Sequence, residues 1–541
     1  MTVFAPYFHL FAKEPTTPPV KAARLIVQPA TLELRGAQAE HGLLVTAVTA
    51  EGRLADVTAA AKFTSRSPKI VAVDAKGSCR AVAQGRAEVE VSYNGRSAKV
   101  PVTATNTTHV PTPSFRQDVL PVLTKTGCNA GSCHGKLAGQ NGFKLSLRGY
   151  APEWDFDWLT KEVRSRRIDY ARPDESLLLQ KPLGVVPHEG GTRFAEGSRA
   201  HRMLLDWIAA RAPGPLPAGE ESDAARIEVL PGNRTMRVGE RQQLLVRAHY
   251  ADGRTRDVTW LAQFFSNDEA ALAVTPGGVV RALPAGETPV RAHFQGLVEV
   301  VLFSTPYENK VEPKLFARTN NVIDRHVFAK LKSLRIPPSA ECDDATFLRR
   351  ASLDATGTLP GPEEVRAFLS DTRDDKRARL IDRLLDTPEF VDHWTLQLAD
   401  LLQNRKERDH DVRGAKGVRS FHAWLRAQVA ANRPWNELAR DLLTVSGDCV
   451  AQPQIGYYIT TIGEKKAEES ELSDSVAQAF LGTRIGCARC HNHPLEKYTH
   501  HAAHTEFARL PARLGHAAGQ RAGSKVLLAL LRAATARRSD A

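Results

Sequence analysis

The sequence predicts a multidomain protein with two small all-β sandwiches, a small all-α segment between them, and a mainly α-helical C-terminal region. Three observations carry this. The chain has 541 residues, too many for one hydrophobic core at the usual ~100–200 residues per domain. Two stretches repeat each other at a constant offset. Short alternating apolar runs fill those two stretches, while helical periodicity fills the rest. Hydrophobic residues at 42% and charged residues at 25% lie at the globular average, which excludes a disordered or fibrous chain.

The duplication is explicit. Gly52-Arg53, Asp56-Val57-Thr58, Phe63, Ala72-Val73, Gly77, Arg80-Ala81, Gly85 and Gly95 recur 201 positions later as Gly253-Arg254, Asp257-Val258-Thr259, Phe264, Ala273-Val274, Gly278, Arg281-Ala282, Gly286 and Gly296. Within each copy, runs such as Leu43-Val45-Ala47 and Leu244-Val246-Ala248 alternate in polarity and are broken by Gly, Asp and Asn, the pattern of half-buried strands joined by tight turns. With that pattern, residues 23–105 and 224–305 resemble the bacterial immunoglobulin-like group 2 domain. The resemblance implies immunoglobulin-like sandwiches serving as spacer or adhesion modules on an exported protein.

Between the copies, residues 114–215 open on a helix-like stretch at Phe115, Val119, Leu120, Val122 and Leu123. They close on another, Arg202 to Ala212, with Leu204, Leu205, Trp207 and Ile208 on one side. After Tyr307 the pattern is helical throughout: Asn321 to Leu334, Asp344 to Ala355, Pro362 to Leu369, Lys376 to Leu385, Pro388 to Leu402, Val418 to Ala431 and Glu471 to Leu481. Pro362-Glu363-Glu364 places proline and acids where the free amides of a helix start favour them.

Four of the seven cysteines are paired with histidine. Cys128, Cys133 and His134 form C-x4-C-H, a longer version of the C-x-x-C-H haem attachment motif. The spacing suggests one helical turn on which two thiols and an imidazole converge on a haem. The sixth ligand is then expected from the loop Pro187-His188-Glu-Gly-Gly, because Met203 sits among Leu204, Leu205 and Trp207, where it suits core packing. A disulfide between Cys128 and Cys133, or a zinc site, is the competing reading. Cys487, Cys490, His491 and His493 form the second motif, C-A-R-C-H-N-H-P. It has the unexpanded haem spacing, but its second histidine also leaves open zinc or iron, and paired thiols remain an alternative.

The pattern at residues 114–215 resembles the planctomycetal-type cytochrome c domain. It is carried by F-x-x-D-V-L-P-V-L from Phe115, G-C-N-x-G-x-C-H-G at Gly127 to Gly135, G-G-x-R-F at Gly190 to Phe194 and the closing L-L-x-W-I. Residues 315–498 resemble the planctomycete helical domain of unknown function that accompanies such cytochromes. F-L-R-R-A-S-L-D-A-T-G-T-L-P at Phe347 to Pro360, K-R-A-R-L-I-D-R-L-L at Lys376 to Leu385 and the second cysteine motif carry that likeness. The resemblance implies haem c at the first site, a second haem or another metal at the second, and redox protein partners. It names no reaction. Asp354, Asp382 and His393 are read as caps, surface pairs or buried hydrogen-bond partners.

The expected function is an exported c-type cytochrome carrying single electrons, periplasmic or at the cell surface. The alternatives are a haem- or metal-dependent extracytoplasmic enzyme acting on a glycan or other polymer, and a surface binding protein with structural metal sites and polysaccharide contacts. Cys79, Cys342 and Cys449 have no assigned role. A net charge of +12 is diffuse apart from Thr499 to Ala541, and no basic block interleaved with aromatics argues for nucleic acid. The longest apolar stretch near an end, Val526 to Leu531, is too short for a membrane span. Residues 1–22 resemble the end of a secretory signal. Residues 499–541 depart from the family pattern and are expected to be a truncated or frame-altered tail whose His500, His501, His504 and His516 are not ligands.

Overall fold

A computed structural model describes residues 20–108, 110–216, 223–317, 319, 321–404, 414–445, 451–459 and 469–489. The chain divides into two compact units, Met1–Pro338 and Ser339–Ala541.

In the first unit the repeat becomes two β-sandwich-like sets of sheets with matching strands. In the first copy, Leu32–Arg35, Arg96–Thr105, Gly85–Tyr93 and Lys62–Ser65 form a four-stranded sheet. Arg24–Gln28, Leu44–Val48 and Leu54–Asp56 form one three-stranded sheet, and Glu40–Gly42, Ser78–Ala81 and Val71–Val73 form another. The second copy repeats this order from Ala224–Leu230 to Leu297–Thr305. Most pairings are antiparallel, but the long last strand also pairs in parallel with the short second one, Val102 facing Leu32 in one copy and Phe303 facing Arg234 in the other. Strand periodicity decides which side chains go inside: in Leu32–Arg35 the leucines are buried and Glu33 and Arg35 exposed. The repeated glycines Gly77 and Gly278 have φ +82° and +80°. A Cβ there would strike the rings of Phe63 and Phe264, so one turn residue serves both backbone and packing in each copy.

Residues 114–215 fold into short helical pieces: a wide turn at Phe115–Val119 continuing into Leu120–Lys125, then Pro152–Thr160, Leu177–Leu183 and Arg199–Ala209. The closing helix therefore starts and ends three residues before the span expected from periodicity; Ser198 sets its start by accepting a hydrogen bond from the His201 N–H. Helices this short cannot enclose a core alone. Phe115, Leu179, Leu204 and Trp207 instead belong to the same hydrophobic cluster as Val246, Val280 and Phe303 of the second sandwich. The first sandwich has its own cluster around Val45, Val71, Val89 and Val100. The helix Val322–Leu334 groups with this first unit, where Lys330 pairs with Glu287 at 2.7 Å and Tyr307 N–H donates to the Leu334 carbonyl at 3.0 Å.

The second unit is helical: Asp344–Thr356, Pro362–Ser370, Lys376–Leu385, Pro388–Leu401, Gly414–Ala430, Trp435–Thr444, Gly456–Ile459 and Glu469–Leu481. The Asp343 and Thr387 side chains cap two of these starts by accepting from Thr346 N at 2.7 Å and Phe390 N at 3.2 Å. Leu348, Phe368, Leu380 and Leu384 form one cluster, and Leu402, Phe421, Leu425, Leu442 and Tyr457 another. The helix Trp435–Thr444 was not expected, although Leu438, Ala439, Leu442 and Leu443 are buried on one stripe of it. No helix among the described residues is long and apolar enough to cross a membrane.

Candidate cofactor site

The first cysteine motif does not lie on a helical turn, contrary to expectation. The helix stops at Lys125, and Cys128 to Gly135 run through consecutive turns. Gly127, with φ +81°, breaks the helix. The turns are then tied by local bonds: Cys128 N donates to Leu123 O at 2.9 Å, Cys133 N to Ala130 O at 2.9 Å, and His134 N to Cys128 O at 3.1 Å. Gly135 is required there because any Cβ would collide with the Asn129 carbonyl. The physical reason is the four-residue insert between the thiols: one helical turn would not bring residues five apart to the same point, whereas a fold-back does.

That fold-back brings the predicted residues to one place. Cys128, Cys133, His134 and His188 all line a cavity of about 850 Å³. Cys128 is buried and Cys133 half-buried, and both are free thiols. Burial pushes the Cys128 thiol up in pKa, opposed by its Thr126 hydroxyl contact at 3.3 Å and by the charge of Arg193. Arg193, the arginine of the G-G-x-R-F sequence, also reaches Cys133 Sγ at 3.4 Å.

The two imidazoles are set by backbone carbonyls. His134 Nδ1 lies 3.1 Å from Phe143 O, and His188 Nδ1 lies 3.3 Å from Gly191 O. A carbonyl can only accept, so each ring donates from Nδ1, which leaves Nε2 as the nitrogen able to meet a metal. Burial holds the His134 pKa below its ordinary value, opposed by its bond to the Phe143 carbonyl and assisted by the charges of Arg167 and Lys181. The rings are nearly parallel at 11°, with centroids 6.2 Å apart. That is too far for ring contact. Met203 instead packs against the core, as its neighbours suggested.

The residues present fit a haem better than a bare metal. Among the described residues no group of three His, Cys, Asp or Glu is placed to hold a metal ion. The cavity volume falls in the range of cofactor pockets, ~300–1,000 Å³. Leu123, Leu145, Leu178 and Pro182 supply apolar wall. Lys136, Arg166, Arg167, Lys181 and Arg193 line it against a single acid, Glu189, a charge balance that suits a flat apolar ligand bearing carboxylates. Of these basic residues only Arg193 carried a sequence signal; Lys181 and Arg167 come from separate segments and have no local spacing to announce them.

The second motif is only partly described. Cys487 is exposed in the turn Gly486–Arg489, just after Glu469–Leu481, and Cys490, His491 and His493 lie outside the described residues. Asp354 and Asp382 are exposed on their helices, and His393 packs against the backbone of Gly357. Elsewhere, Cys79 is buried in the first sandwich, where desolvation raises its thiol pKa to about 12.

Residues 322–512, about a third of the chain, match the family model PSCyt2, described as a protein of unknown function (DUF1549). No curated protein matches the chain. Among solved structures, the S-layer protein rSbsC(31-844) aligns over 50% of this chain and 24% of its own at 11% identity and a TM-score of 0.14. The chain thus spans about a quarter of that protein. SbsC domains 5-6 align over 52% and 97% at 12% identity and a TM-score of 0.22. SbsC domains 4 and 5 align over 53% and 98% at 10% and 0.14. Scores of this size establish no shared fold and carry no argument about function.

Proposed function

We propose that residues 114–215 form a c-type cytochrome domain with one covalently held haem, and that the protein is an exported electron carrier working with redox partner proteins. In this reading Cys128 and Cys133 would supply the attachment thiols, and His134 and His188 would hold the iron. The observation that supports it most is the parallel imidazole pair, 6.2 Å apart, each with its free nitrogen fixed by a carbonyl on the other. Haem would supply one-electron redox chemistry; the chain would supply ligands, a partly apolar wall and compensating positive charge. Covalent haem attachment outside the cytoplasm would agree with a periplasmic or cell-surface location. The two sandwiches are read as immunoglobulin-like modules.

The test is pyridine haemochrome absorbance after co-expression with a cytochrome c maturation system. Matured protein should be coloured, and Cys128→Ala with Cys133→Ala should remove one haem. The double substitution Cys487→Ala with Cys490→Ala counts the second motif independently. Colourless matured protein refutes the reading.

A further inference from the structure

The 201-residue offset reappears as a reciprocal contact between the two sandwiches. Asp56 Oδ1 accepts from the Thr58 N–H at 2.9 Å and hydroxyl at 2.6 Å, and Asp257 Oδ1 accepts from Thr259 at the same two distances. Each aspartate thus spends one oxygen on its own Asp-Val-Thr turn. The other oxygen crosses over. Asp56 Oδ2 accepts from the Gln243 N–H at 2.6 Å, and Asp257 Oδ2 accepts from the Gly42 N–H at 2.8 Å. Gly42 and Gln243 are themselves 201 positions apart, on the equivalent short strands Glu40–Gly42 and Arg241–Gln243.

The apolar contact follows the same rule. Leu44 and Leu245 are equivalent residues, 2% and 3% exposed, and they cluster with Leu230 rather than with either sandwich core. The buried neighbours His41 and Gln242 are also equivalent, each bonded to the next carbonyl of its own strand at 2.7 and 2.9 Å. An interface in which residue i meets j and the copy of j meets the copy of i is isologous, the form taken by a twofold homodimer. Arg53 with Glu240 at 2.5 Å adds an ion pair outside that symmetry, since Ala39 stands at the position equivalent to Glu240.

We infer that the two repeats are an internal pseudo-twofold dimer, each sandwich being the binding partner of the other through a self-complementary face. This pairing, and not the connecting chain, holds residues 20–105 on the rest of the first unit. The repeats are therefore a clamp that fixes both ends of residues 114–215, and not spacers strung along the chain. The inference is independent of haem.

The test uses the full chain with a protease recognition sequence replacing the exposed residues Val110 to Thr112. After cleavage, the two fragments of the wild-type sequence should co-elute on size-exclusion chromatography at micromolar concentration. Leu44→Asp should lower the co-eluting fraction about tenfold or more, because it sets an uncompensated charge against Leu245 and Leu230. Gly42→Leu provides a second variant: the first side-chain carbon there meets Leu245 Cδ1 at 3.2 Å and Asp257 Oδ2 at 3.3 Å, both atoms of the opposite copy, so the substitution is aimed at the face. It is decisive where uncut Leu44→Asp loses its circular dichroism. Separation of the cleaved wild-type fragments, or their continued co-elution in Gly42→Leu, overturns the inference.

Discussion

Asp155 connects stability to the candidate site and gives the most searching prediction. It is fully buried, and its two oxygens accept from Ser146 N at 2.5 Å and Ser146 Oγ at 2.6 Å. Ser146 ends the segment that begins at Phe143, whose carbonyl fixes His134, and Leu145 N donates to His134 O at 2.9 Å in between. Burial raises the Asp155 pKa to about 6, only partly offset by those two bonds. The folded state then holds a proton that the unfolded state, titrating near ~3.9, has already lost. Stability from this group is fully present below about pH 4 and is lost as pH rises through 6. A shift of about two units corresponds to about 3 kcal/mol in total, of which roughly 2–2.5 kcal/mol falls between pH 4 and pH 7. Asp155→Asn keeps the shape without the charge. The difference in urea-unfolding free energy, wild type minus Asp155→Asn, should decline by that amount across this interval, followed by tryptophan fluorescence. Asp155→Ala removes both acceptors and leaves the buried Ser146 N–H unpaired, costing about 2–5 kcal/mol at pH 4. A difference between wild type and Asp155→Asn that does not change with pH would refute the reasoning.

Two other outcomes test the site and its support. His188→Met should raise the midpoint potential of matured protein by on the order of 0.1 V, because thioether ligation favours reduced iron; an unchanged potential and spectrum in a redox titration removes His188 as a ligand. Trp207→Ala should cost about 3–5 kcal/mol, since the fully buried ring packs on Phe115 at 5.5 Å and its Nε1 donates to Pro213 O at 3.0 Å. Because its cluster continues into the second sandwich, calorimetry should show residues 114–215 and that sandwich melting together at a lower temperature. A separate transition that leaves the sandwich unaffected counts against a shared core.

Much of the fold was legible because its signals are local. The constant offset, the polarity alternation and the helical stripes each depend on residues within one element or one repeat, and most strands and helices formed where those periods placed them, the exceptions being the three-residue displacement of Arg199–Ala209, the helix Trp435–Thr444 and the cysteine motif. The cysteine motif was legible as chemistry but not as geometry. Its spacing pointed to one helical turn, and only the turn bonds around Gly127 and Gly135 decided that it folds back instead of coiling. Similarly, His188 stood out through its Pro-His-Glu-Gly-Gly loop, while the carbonyls of Phe143 and Gly191 that orient the two rings could not be read from side-chain identity.

By itself, the sequence determined the duplication, the class of each region and the residue types able to carry thiol and imidazole chemistry, since composition and period act over a few residues. Tertiary structure alone decided that the helical segment shares its core with the second sandwich, that its cavity is walled by Lys136, Arg167, Lys181 and Arg193, and that Asp56 and Asp257 exchange hydrogen bonds across the repeat. These features join positions tens to hundreds of residues apart. Burial of apolar surface and satisfaction of polar groups select such meetings from the whole folded chain, and no local pattern encodes them.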